Sequence, residues 1–285
     1  MVDSELLINK LHLVKTKSVW LRLIAFLVCL LIIWLPLAIP LNFILASDRN
    51  LATIIIMGWL LVDFIALQKL WGNYVYQQPK IFTSYGLIPN RLNGIDLLSG
   101  LAIGVTFCWS LFLVEAIFGW VTINPAEISL VRIVAEGLLS ALGIGFAEEL
   151  VFRGWLLQEL EQDYSKKKSL WLNSIIFALA HFIKPLGEII RTLVTFPAYI
   201  LLSLALVWAK WSKRDRLGIC IGLHSGLVWG YYILNVGNLL EYTEQVPDWV
   251  TGIDGNPIAG ILGLMFLTGL AIAMWKQFLS LPQKP

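Results

Sequence analysis

Gly145-Phe146-Ala147-Glu148-Glu149-Leu150-Val151-Phe152-Arg153-Gly154 sets two adjacent carboxylates inside the apolar run 130–156. A carboxylate at hydrocarbon depth is costly, so a chain that keeps two of them there uses them. Arg153 stands four residues after Glu149, one helical turn on, where side chains meet. Such a pair anchors one acid and leaves the other free for chemistry. Neighbours on a helix point about 100° apart, so the two acids cannot share one easy exit to the interface.

The surrounding composition sets the class. Only 14% of the 285 residues are charged, and 58% are hydrophobic; a soluble domain carries about 25% charged residues. The expected fold is an all-α polytopic membrane protein of about eight transmembrane helices with an intramembrane cavity. At roughly 20 residues per crossing, the expected spans are 18–45, 51–69, 96–118, 130–156, 169–186, 192–209, 216–236 and 257–277. Asn93-Gly94 precedes the third and Gly255-Asn256-Pro257 opens the eighth, both turn signals. No segment between spans is long enough to fold alone, so residues 1–285 are expected to be a single transmembrane domain with a motif-bearing core at 130–236. The first apolar run is too long for a cleaved signal peptide. Cys29, Cys108 and Cys220 all fall in apolar runs and suggest no disulfide framework. A net charge of +2 is too small to argue for a nucleic-acid partner, and none is expected.

Basic residues give an orientation. Lys10, Lys15, Lys17 and Arg22 precede or open the first span; Lys166, Lys167 and Lys168 follow the fourth; Lys210, Lys213, Arg214 and Arg216 follow the sixth. With Lys69, Lys80, Arg91, Arg153, Lys276 and Lys284 they make 17 of the 21 lysines and arginines. Arg49, Arg132, Lys184 and Arg191 are left for the other side. The asymmetry predicts that both termini are cytoplasmic.

Two later spans supply imidazoles, in Phe177-Ala178-Leu179-Ala180-His181 and in Gly222-Leu223-His224-Ser225-Gly226. His12 is the third histidine and precedes the spans. Counted at about 1.5 Å per residue, Glu148 and His224 lie on the order of 12 Å from the inner ends of their spans and His181 on the order of 18 Å. One site in the inner half of the bilayer is therefore expected, reached from the lipid or the cytoplasmic face. Taken singly, either histidine is more often a core residue hydrogen-bonded to a backbone carbonyl. Together with the two glutamates they favour a functional site. Asp63 and Glu136 carry no motif and are assigned to helix packing; Glu115 is expected to snorkel to the outer interface. Gly218, Gly222, Gly226 and Gly230 recur every fourth residue, a stripe that admits another helix backbone and turns His224 to the opposite face.

Glu148-Glu149-x-x-x-Arg153, then Phe177-x-x-x-His181, then His224 in a later span resembles the CAAX prenyl protease and bacteriocin-processing family of intramembrane proteases. The run Glu148 to Trp155 is similar to that family's first motif throughout, and Tyr85-Gly86-Leu87 adds a weaker likeness. The resemblance implies a catalytic set of Glu148, Glu149, His181 and His224, supported by Arg153, Phe177 and Ser225. It assigns the base to Glu148; spacing alone does not choose between the two acids. The family's last motif carries Asn or Asp four residues after the histidine, where this chain has Val228, which cannot donate a hydrogen bond. Oxyanion stabilisation would then fall on His224, with Ser225 or a backbone N–H. Glu148, His181 and His224 also match the ligand types of one catalytic zinc ion, and a metal-free glutamate–histidine site is equally consistent. The implied partners are membrane lipid and a peptide or membrane-protein substrate, prenylated in some family members. Two other readings stand beside the endopeptidase: a non-catalytic scaffold or bacteriocin self-immunity protein using the same cavity, and a proton-coupled transporter, against which the lack of internal repeats counts.

Overall fold

The computed structural model describes residues 13–125 and 129–282; Lys10, His12 and Lys284 lie outside them. The fold is nearly all-α, as a chain without water around its backbone requires. Among the described residues, seven helices are long and apolar enough to cross a membrane. Large apolar side chains such as Ile32, Ile54, Leu139 and Met265 point outward, which suits a lipid solvent. The protein is thus an integral, multi-pass membrane protein.

Contacts divide the chain into two compact units, Met1–Ser84 and Tyr85–Pro285. In the first, α1 (Val19–Ile44) and α2 (Arg49–Tyr74) form an antiparallel pair, and α3 (Ile81–Ser84) follows. The Phe26 ring packs edge-on against Phe64 and Trp71, with centroids 5.6 and 5.4 Å away. Asp48 caps α2 by accepting from the Leu51 N–H.

The second unit holds α4 (Arg91–Ile117), β1 (Val121–Ile123), α5 (Leu130–Glu149), a π-turn (Leu150–Leu156), α6 (Leu157–Asp163), α7 (Lys166–Ala180), α8 (Leu186–Thr192), α9 (Phe196–Ser212), α10 (Gly218–Val236), β2 (Leu240–Tyr242), α11 (Asp248–Thr251) and α12 (Ile261–Leu279). The two short strands pair antiparallel, Thr122 opposite Glu241. Two of the expected spans change. The fourth runs on through the π-turn to Asp163. The fifth, expected over 169–186, is a helix of 15 residues that stops at Ala180, with His181 as its cap. At about 22 Å it falls short of a full crossing.

The glycine stripe does what its period implies. A Cβ at Gly222 or Gly226 would collide with the carbonyl of Leu97 or Leu101 on α4. Gly100 and Gly104 answer from α4, where a Cβ would meet the backbone of Ile219 to Gly226. The parallel α4–α10 contact is therefore backbone on backbone. On its other side α10 meets α5, where Gly145 leaves room for the Ser225 hydroxyl and Gly137 for the Tyr232 ring. Gly222→Ala is expected to destabilise the folded protein by about 1–3 kcal/mol, the usual cost of overpacking. A thermal melt of the purified protein checks this; an unchanged midpoint would contradict the backbone contact.

Candidate active site

Helices α5, α7 and α10 bring Glu148, Glu149, His181 and His224 together. Glu149 is fully buried. Its Oε1 accepts from Arg153 Nη1 at 3.0 Å and from His224 Nδ1 at 2.8 Å. Arg153 is likewise without exposure, and its guanidinium lies over the Phe177 ring, 4.1 Å from the centroid. Removing either partner of such a pair leaves an uncompensated buried charge, at a cost of about 3–5 kcal/mol.

The neighbouring acid is placed differently. Glu148 Oε2 has no hydrogen-bond partner among the described residues. It faces His181 Nε2 at 3.8 Å and His224 Nε2 at 4.0 Å. The tautomers follow from the partners on the far side of each ring. His181 Nδ1 lies 2.9 Å from the Phe177 carbonyl, which can only accept, so that nitrogen carries the proton. His224 Nδ1 donates to the Glu149 carboxylate in the same way. Both Nε2 atoms are therefore turned to Glu148.

Aromatic packing holds the rings. Phe177 is fully buried and meets Phe152 edge-on at 5.0 Å and the His181 ring at 4.6 Å. Tyr199 of α9 stacks on His181 with centroids 3.9 Å apart. The sequence marks Tyr199 only as a polar-tipped aromatic in an apolar run, and no motif pointed to it.

Glu148, His181, His224 and Tyr199 line one cavity of about 340 Å³. The remaining wall is mostly apolar, including Phe107, Phe112, Leu227 and Phe266, with Val228 in the position of the missing polar residue. It draws on the later parts of α4 and α10 and on Asn256-Pro257-Ile258, just before α12. These parts lie away from the basic turns at Lys166–Lys168 and Lys213–Arg216. The helix of Glu148 continues to Asp163, so the acid stands on the order of 22 Å from that end.

Three further expectations change. Ser225 does not line the cavity; its hydroxyl is buried against Gly145, because it points about 100° away from His224. Glu115 does not snorkel: it is fully buried, and neither carboxylate oxygen has a hydrogen-bond partner among the described residues. Lys210, expected to follow the sixth span, lies within α9. It is 3% exposed, with Nζ 2.6 Å from the Arg153 carbonyl. Glu136 pairs with Arg132 at 2.7 Å on an exposed face.

The donor types suit a zinc ion, but their spacing is wider than a zinc set needs. Tetrahedral ligands at 2.0–2.1 Å stand about 3.4 Å apart, against 3.8 and 4.0 Å here. Among the described residues no group of three or more His, Cys, Asp or Glu is arranged to hold a metal.

Searches of curated proteins and of solved structures gave no match. A family model does match, described as type II CAAX prenyl endopeptidase Rce1-like, over residues 130–230. That stretch is a little over a third of the chain and contains all of Glu148, Glu149, Arg153, Phe177, His181 and His224. Residues 130–230 of this multi-pass membrane protein are thus similar to an Rce1-like type II CAAX prenyl endopeptidase.

Proposed function

We propose that this protein is an intramembrane endopeptidase of the CAAX-protease-like type, in which Glu148 activates a water for attack on a peptide bond. One observation carries the reading: the two adjacent acids have separate environments. Glu149 is fully buried and engaged through Oε1 by Arg153 and His224, whereas Glu148 lines the cavity and turns its Oε2 to two Nε2 atoms. Gaps of 3.8 and 4.0 Å are too long for direct hydrogen bonds and suit one bridging water.

In this scheme Glu148 takes the proton of that water as it attacks the scissile carbonyl. His181, with its proton fixed on Nδ1, accepts from the water through Nε2 and orients it. His224, oriented by its Nδ1 bond to Glu149, carries a second proton in this scheme and donates it from Nε2 to the developing oxyanion. Glu148 then passes its proton to the leaving amine. No step runs through a metal. The apolar wall suits a peptide with bulky apolar side chains or an attached isoprenoid.

With the basic turns cytoplasmic, the Asn256–Ile258 wall belongs to the opposite side. Asn256→Cys is then expected to react with a membrane-impermeant maleimide from the non-cytoplasmic face and Lys167→Cys only from within. Reversed labelling would invert the topology.

Glu148→Gln is expected to lower kcat by about 10²–10⁴ in a cleavage assay with purified protein; full activity in that variant rules the scheme out. Cleavage should survive exhaustive chelation, and a loss restored by added zinc would replace the metal-free scheme. Val228→Asn should raise kcat, since one oxyanion donor is worth about 10²–10³. Wild-type protein without cleavage on any peptide, and a Val228→Asn variant equally inert, would favour a non-catalytic scaffold.

A further inference from the structure

The helix that carries both glutamates is not regular. It widens at Leu150–Leu156 into a π-turn, which closes with the Leu157 N–H on the Phe152 carbonyl, five residues back. Such turns are rare and recur at functional sites. Side chains from two other helices reach its carbonyls. Asn173 of α7 donates Nδ2 to the Phe152 carbonyl at 2.7 Å, and Lys210 of α9 donates Nζ to the Arg153 carbonyl at 2.6 Å. Both donors are buried. The Asn173 Oδ1 is 3.5 Å from the Ser203 hydroxyl of α9, so the amide is oriented as well. A lysine beside a basic turn ordinarily extends its ammonium to water. Lys210 instead gives it to a backbone carbonyl, with Glu149, Glu161 and Asp215 as the acids near enough to act on it.

The turn sits between two fixed points. Beyond it, α6 is anchored: Leu157 packs with Leu170, Leu204, Val207 and Trp211, and Glu161 accepts from the Trp211 indole N–H at 3.1 Å. Before it stand Glu148 and Glu149. Closing a π-turn to α geometry shifts one side against the other by about one residue, or roughly 100°. With α6 held, that rotation falls on the glutamates, and Glu148 no longer faces the cavity.

We propose that Asn173 and Lys210 are positioning residues that hold this π-turn open and so decide which glutamate faces the cavity. The catalytic consequence rests on the endopeptidase reading; the structural half does not. The test uses full-length protein in nanodiscs with Lys210→Met, Asn173→Leu, the double variant and Lys210→Arg. Hydrogen–deuterium exchange is expected to rise at the amides of residues 150–157 in Lys210→Met and Asn173→Leu and to stay unchanged in α4. In cleavage assays kcat should fall about ten- to hundredfold with KM unchanged. The double variant should lose less than the product of the two singles, because both groups hold one turn. Lys210→Arg, which keeps a donor, should recover most of the rate. Exchange unmoved at 150–157, or a kcat loss that tracks increased exchange in every helix, would overturn the proposal. A wild-type protein that cleaves nothing, with the local exchange change still present, would overturn the endopeptidase reading and leave the clamp standing.

Discussion

A carboxylate cut off from water has to be neutralised by the protein itself, and Glu149 imposes that demand on everything around it. Its partners come from two directions. Arg153 reaches it along its own helix, and His224 reaches it from α10. The helices must lie close enough for an imidazole to bridge them, which Gly145 and Gly137 permit by leaving room for Ser225 and Tyr232. Once one acid is committed in this way, helix geometry turns its neighbour elsewhere. The division of labour between two chemically identical side chains is thus a matter of which one faces the cation.

The same economy of placement governs the aromatic groups. Phe177 gives its carbonyl to His181, one face to Arg153 and an edge to Phe152. Its ring fills the space between the two halves of the site, so the imidazole and the guanidinium are located against one rigid body. Tyr199 closes the other face of His181. Neither aromatic needs to touch a substrate to matter.

Polar residues in apolar surroundings are legible in a sequence because hydrophobic background is a strong contrast. Glu148, Glu149, His181 and His224 stood out for that reason, and the structure brings them together. The glycine stripe was legible by its period of four. What stayed hidden depends on hydrogen bonds across helices, which no window of hydropathy contains. Lys210 was concealed among other bases, where the ordinary solvated role is the better guess. Asn173 and Tyr199 had no partner nearby in sequence. Ser225 adjoins His224 in the chain but not in space, since successive helical residues point about 100° apart. The short α7 was overestimated because the apolar character of the chain continues past His181 although the helix does not.

The α4–α10 seam has a mechanical consequence. Two helices in backbone contact have no side-chain layer to slide on, so the wall of the chamber formed by Phe107–Phe112 and Leu227–Tyr231 is stiff. The facing wall is built at Asn256–Ile258; an exposed ion pair, Arg191 with Asp254, ties its approach to α8, and the Tyr231 hydroxyl donates to the Gly255 carbonyl at 3.1 Å. The stiff wall thereby holds both the His224 imidazole and, through Tyr231, the turn that faces it.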